Sequence, residues 1–226
     1  MIRAVAFDAV GTLLHPQPSA AEIYAEVGAR FGSRLPVREI QARFRAAFSR
    51  QEALDGAAGM RTDETRERCR WQHIVAEVLD DVADPAACFA ALYEHFRRPE
   101  AWRLDPEAEM VLAELRRRGR RLALASNYDE RLRSLSMLFP EVDEVVISAE
   151  VGWRKPAPEF FGVLCDRLQL PAHAVAFVGD DRVNDFEGAR RAGLHAVLFD
   201  PCKQAPELGP ERIGNLGELL APGRVL

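Results

Sequence analysis

The chain has 226 residues, 48% of them hydrophobic and 29% charged, with a net charge of −5 and a pI near 5.6. That length suits one large domain or a core carrying an insertion, and the balance is that of a globular protein. The acidic charge argues against nucleic acid as a partner, and no run of 18 apolar residues is present to span a membrane.

Met1-Ile2-Arg3 leads straight into an apolar stretch, without the basic, apolar and small-residue succession of a signal peptide. Cys69, Cys88, Cys165 and Cys202 show no close pairing, and with His15, His73, His95, His173 and His195 they show no zinc-ligand spacing. Free thiols in a reducing cytoplasm are the expectation.

Residues 3 to 7 read as a short buried strand that ends on Asp8-Ala9-Val10-Gly11-Thr12-Leu13. A carboxylate at the C-terminal end of a strand, followed by a glycine turn, is where open α/β sheets carry their chemistry. From Pro18 to Arg98 helical periods replace β-alternation. Ser19 and Glu22 fit a capping box, Ile23, Val27, Phe31 and Ile40, Phe44, Phe48 make stripes, and residues 56 to 65 read as a loop. Trp71, Ile74, Val75 and Val78 resume a stripe, and Asp84-Pro85 opens a helix through Phe96. The arginines of 38–70 and 116–133 alternate with acids, as solvated helix faces do.

After Trp102 helices and strands alternate. Asp105 caps a helix with Pro106 at its first position and Gly119 at its end. Strands are expected at 121–125, 144–147, 174–178 and 196–199, with Asp129 capping one helix and others at 159–168 and 185–192. The tail, with Pro201, Pro206, Pro210 and Pro222, reads as loops and a short helix over 216–220. The expected fold is α/β, a doubly wound parallel sheet with an all-helical block inserted after the first strand. Residues 1–14 and 100–226 form the core, and 15–99 the inserted domain.

Four polar clusters fall near strand ends: Phe7-Asp8-x-x-Gly11-Thr12; Ser126-Asn127; Lys155-Pro156 with Pro158-Glu159-Phe160-Phe161; and Gly179-Asp180 with Asn184-Asp185 and Gly188-Ala189. In this order they resemble the four motifs of the haloacid dehalogenase-like (HAD) hydrolases, specifically the subfamily IA type with a helical C1 cap after the first strand. Residues 126–132 and 151–156 are most similar to the subgroup called haloacid dehalogenase-like hydrolase domain-containing protein 3. Of 30 basic residues only Lys155 and Lys203 are lysines, so a compact cation stands at the third motif of a chain that otherwise uses arginine.

The resemblance implies a Mg²⁺-dependent phosphatase acting on a small phosphorylated metabolite. Asp8 would be the nucleophile that forms an aspartyl-phosphate. Lys155, Ser126 and Thr12 would hold the transferring group, helped by Asn127 and by backbone N–H groups of the turn from Ala9 to Gly11. Asp8, Asp180, Asp185 and the backbone carbonyl of Val10 would hold Mg²⁺. Trp71 and Trp102 are expected to pack in or under the cap and Trp153 to edge the site; Arg43, Arg45 and Arg61 are candidate anion contacts. A monomer or a homodimer fits equally.

Val10 departs from the pattern, because the family's phosphatases carry an aspartate there that protonates the leaving alcohol and then activates water. Four readings follow: a phosphatase for leaving groups that need little protonation or that uses another acid, a 2-haloacid dehalogenase, a phosphonate hydrolase, or a non-catalytic binding protein. The Gly179-Asp180 pair argues against the second, since dehalogenases of the family lack it. The absence of lysine between 15 and 100 removes the Schiff-base form of the third.

Overall fold

The computed structural model describes residues 1–221; Pro222 lies outside them. The first strand, β1 (Ala4–Phe7), sits at the centre of the sheet. Its neighbours are β4 (Arg121–Ser126) and β6 (Val175–Gly179), both parallel to it. β5 (Glu144–Ile147) lies outside β4, and β7 (His195–Phe199) with β8 (Arg212–Ile213) lies outside β6. The order β5-β4-β1-β6-β7-β8 confirms the doubly wound α/β sheet.

The strands alternate between two buried faces, as a period of two requires. Val5, Phe7, Leu122, Leu124, Ala176 and Val178 pack toward α5 (Ala108–Arg117) and α6 (Arg131–Ser136). Ala4, Ala6, Ala123 and Ala125 face the other way, and their small side chains leave room for Phe160, Phe161, Leu164 and Leu168 of α8 (Pro158–Leu168). Large residues on the helix thus fill the space that alanines leave on the strands.

The helical layer comprises α1 (Ala20–Arg30), α2 (Val37–Ala57), α3 (Glu64–Val78) and α4 (Pro85–His95). The expected capping box is present: Ser19 N donates to Glu22 Oε2 at 2.9 Å, and Ser19 Oγ accepts from Glu22 N at 3.4 Å. Asp63 and Asp84 cap α3 and α4 by accepting from Arg66 N and Ala87 N. Ile23, Val27, Ile40, Ile74 and Val78 close a separate apolar core. A ribbon of β2 (Leu14–Pro16) paired antiparallel with β3 (Trp102–Leu104) carries the chain into and out of this layer.

Several boundaries move. The loop expected over 56–65 shrinks, because α2 runs to Ala57 and α3 starts at Glu64. Pro106 lies in a turn bridged by Asp105 Oδ1, which accepts from Glu107 N at 3.0 Å, and α5 begins two residues later. In place of one helix over 185–192 there is a π-helical turn over Arg182–Glu187 followed by the short α9 (Gly188–Arg191). β8 adds a strand from the tail, and residues 216–220 form a 3₁₀ turn.

Candidate active site

Where the strand order reverses about β1, three strand ends meet and bring the polar clusters together. Asp8 follows β1, Ser126 ends β4, and Asp180 follows β6. Asp8, only 6% exposed, accepts from Ser126 Oγ at 2.8 Å and from Lys155 Nζ at 2.6 Å. Lys155 Nζ also donates to Asp185 Oδ1 at 2.6 Å and to the Ala125 carbonyl at 3.1 Å. Its three donors are therefore all used. Asn127 fixes the backbone of Lys155 by a reciprocal pair: Lys155 N donates to Asn127 Oδ1 at 2.7 Å, and Asn127 Nδ2 donates to Lys155 O at 2.9 Å.

Two glycines make this crowding possible. A Cβ on Gly11, which has φ of 99°, would fall on the Asp180 carboxylate, and a Cβ on Gly179 would fall on that of Asp185. Thr12 is fully buried and its hydroxyl donates to Asp180 Oδ1 at 3.1 Å, so it orients that carboxylate from beneath. The Gly11 N–H donates to Leu14 O, and the Ala9 carbonyl accepts from the Leu13 and Leu14 amides, so this turn is braced internally. Asp185 Oδ2 accepts from Asp181 N at 3.0 Å.

Carboxylate oxygens of Asp8, Asp180 and Asp185 lie within 4.8 Å of one another. Burial first, then the charges of Asp8 and Asp185, hold the Asp180 carboxyl well above the usual carboxylate range. Burial likewise raises Asp185, with Lys155 opposing the rise. Burial alone would lower the Lys155 ammonium, but Asp185 and Asp8 together outweigh it and hold the amine charged. Three close carboxylates share this one ammonium, a set of hard oxygen donors with charge to spare, which fits a small divalent cation.

Above these groups opens a cavity of about 370 Å³. Asp8, Ser126, Asn127, Lys155, Asp180 and Asp185 line its floor, joined by Val10, which is half-buried. Its upper wall is aromatic: Phe44 and Phe48 stack at 6.0 Å, Phe48 meets Trp71 at 6.3 Å, and Phe96 meets Trp102 at 5.8 Å. Trp71 and Trp102 thus line the cavity, whereas Trp153 does not and instead stacks under Arg61 at 4.0 Å.

The cavity's arginines are Arg70, Arg131 and Arg154, which sequence reasoning passed over. Arg43 pairs outside with Glu39 and Asp80, and neither Arg45 nor Arg61 lines the cavity. Arg131 grips Asp129 through two bonds of 2.8 and 2.7 Å and lies over the Tyr93 ring at 3.9 Å. Arg154 pairs with Glu67 and lies 3.4 Å from Asp55, while Arg70 Nε donates to Asp55 at 3.0 Å. Both acids belong to the helical layer, so Arg154 ties that layer to the segment carrying Lys155. Arg154 N also donates to Met60 O at 2.9 Å, and Thr62 N to Gly152 O at 3.2 Å.

A family model described as a haloacid dehalogenase-like hydrolase matches residues 2–193. The chain is 30% identical over 205 residues to human haloacid dehalogenase-like hydrolase domain-containing protein 3, a match covering 87% of this chain and 81% of that one. It is 38% identical over 131 residues to the phosphoserine phosphatase of Thermus thermophilus, covering 55% and 53% of the two. The solved L-2-haloacid dehalogenase of Xanthobacter autotrophicus superposes with a TM-score of 0.74 over 97% of both chains at 21% identity, a likeness of fold. With its four motifs gathered at one sheet edge and its family matched over most of its length, the chain belongs to the haloacid dehalogenase-like hydrolases.

Proposed function

We propose that the protein is a Mg²⁺-dependent phosphatase that works through an aspartyl-phosphate on Asp8. The observation that carries this reading is the cluster of Asp8, Asp180 and Asp185, two of them paired with a single ammonium, at the floor of a cavity large enough for a metabolite. A phosphatase among the chain's relatives supports it.

Asp8, Asp180, Asp185 and the carbonyl of Val10 would hold Mg²⁺, which when bound supplies a Lewis acid to offset charge on the phosphoryl oxygens. Lys155 and Ser126, both already on Asp8, keep the nucleophilic carboxylate oriented, and the Lys155 charge offsets that of an arriving phosphoryl group. Thr12 keeps Asp180 turned toward the same point. The helical layer, as a cap over 15–99, excludes water and selects the leaving group. Four unpaired cysteines suit a reducing cytoplasm.

Val10 keeps 2-haloacid dehalogenation as a second reading, since halide departs without a proton. Against it stands Asp180, a third carboxylate in the cluster for which expulsion of halide has no use.

The test is hydrolysis of para-nitrophenyl phosphate with Mg²⁺ by the wild type, by Asp8→Asn and with a chelator. Its leaving group departs readily without a proton. Turnover that vanishes with Asp8 or with the metal is the expected result; an inactive wild type refutes the reading.

A further inference from the structure

Two independent features of the cavity, its missing proton donor and its aromatic wall, constrain the same half of the substrate. The isopropyl group of Val10 borders the cavity beside Asp8 and carries no proton to give. The other carboxyl groups lining the cavity away from the Asp8 cluster are Glu52 and Asp181, and both serve as acceptors of one amide. Asn184 Nδ2 donates to Glu52 Oε1 at 3.2 Å and to Asp181 Oδ2 at 3.1 Å. Asp181 Oδ1 further accepts from Val183 N and Asn184 N, each at 2.8 Å.

Opposite the floor, aromatic rings gather around one guanidinium. Phe48, Trp71, Tyr93, Trp102 and Tyr128 border the space, and the Arg131 guanidinium lies 5.6 Å from Trp71, 3.9 Å from Tyr93 and 5.2 Å from Tyr128. The Trp102 N–H is already satisfied by Phe96 O at 3.2 Å, and Arg131 is tied to Asp129 through Nε and Nη2. What remains toward the cavity is chiefly ring face and ring edge, suited to a flat, apolar, π-rich body.

Resting on the phosphatase reading above, we infer that the substrate is an aryl phosphate, the phosphomonoester of a phenol, with the ring seated against the wall of Phe48, Trp71, Tyr93, Trp102 and Tyr128. A phenol has a pKa near 10 and leaves as phenoxide, whereas an alkanol is a far weaker acid and needs a proton as it departs. The ester P–O bond breaks as an Asp8 carboxylate oxygen bonds to phosphorus. The electron pair leaves on the phenoxide, which takes its proton from solvent. Water then adds to phosphorus, the Asp8–phosphorus bond breaks, inorganic phosphate is released and the water proton passes to solvent.

The experiment compares 2-naphthyl phosphate with decahydro-2-naphthyl phosphate, the same skeleton as an alkyl ester, and measures binding of the two free alcohols by calorimetry. The expected kcat/KM ratio is about 10²–10⁴ in favour of the aryl ester. 2-Naphthol should bind about tenfold more tightly than its saturated counterpart. Trp71→Leu should raise KM for the naphthyl ester more than for the decahydro ester.

Turnover of both esters within threefold overturns the inference and leaves the phosphatase reading standing. The same holds if decahydro ester turnover is brisk and Glu52→Gln abolishes it, because a substitute acid is then present. Hydrolysis of neither ester overturns the phosphatase reading and the substrate class with it. Equal binding of the two alcohols overturns the aromatic wall as the cause of any aryl preference, whatever Trp71→Leu does.

Discussion

Replacing Lys155 by methionine removes the site's counter-charge while keeping a side chain of similar length among the rings of Phe160 and Phe177. The lysine is 2% exposed and donates to Asp8 and Asp185 at 2.6 Å each. Charge-assisted hydrogen bonds contribute about 1.5–3 kcal/mol apiece, and stripping one partner from a buried pair costs about 3–5 kcal/mol. The expected loss for the metal-free protein is therefore about 3–5 kcal/mol. At about 2–4 °C per kcal/mol for a chain of this size, Tm falls by roughly 6–20 °C.

The loss also has a pH signature that a packing defect lacks. Burial raises the Asp185 carboxyl in the folded state and Lys155 restrains it; without the ammonium it rises further. An acid whose folded pKa exceeds its unfolded value penalises folding increasingly as pH rises from the ordinary carboxylate range toward the folded value. The deficit of Lys155→Met should thus be largest near pH 8 and shrink toward pH 5, where Asp185 carries its proton. Urea melts of both proteins in chelator at the two pH values measure it. A deficit below about 1 kcal/mol, or one equal at both pH values, refutes the view of Lys155 as the cation that makes this floor tolerable.

Val10→Asp restores a titratable group, so turnover of the decahydro-naphthyl ester should rise about 10²-fold or more; an unchanged rate with Tm intact would show that more than this one group is missing. Because water attack on the phosphorylated Asp8 lacks a base as well, wild type should release one equivalent of 2-naphthol in a burst before a slower steady phase. Stopped-flow fluorescence checks this, and a linear trace from the first turnover counts against it. Glu67→Gln removes the charge that binds Arg154 and accepts from the Thr62 hydroxyl at 2.8 Å, in a site 1% exposed. Urea denaturation should record a loss of about 3–5 kcal/mol.

The sheet and the floor were legible because they depend on local signals: apolar strands that end on Asp8, Ser126 and Gly179, and a lysine kept in an arginine-rich chain. The start of α3 was hidden because its buried face includes Glu67 and Arg70, whose ion partners lie elsewhere in the chain, so apolar periodicity fails there. Arg70, Arg131 and Arg154 were missed for the same reason: in sequence they look like solvated charges, and only their pairing with Asp55, Asp129 and Glu67 buries them. Strands β2 and β3 have three residues each, too few to show alternation. The π turn that carries Asp185 follows from the Asp181 side chain gathering two backbone amides, a contact without a periodic trace.

The scarcity of lysine has a practical corollary. Leaving aside the chain's amino terminus, an amine-reactive reagent meets two side chains, and these differ in every relevant respect. Lys203 is exposed, on a loop beyond β7. Lys155 is sealed and its nitrogen is occupied by two carboxylates and a carbonyl. Acylation of the native protein therefore attaches a fluorophore or a solid support at Lys203, away from the chemistry. Acylation located at Lys155 by peptide mass spectrometry becomes a direct counter of how often the floor comes open.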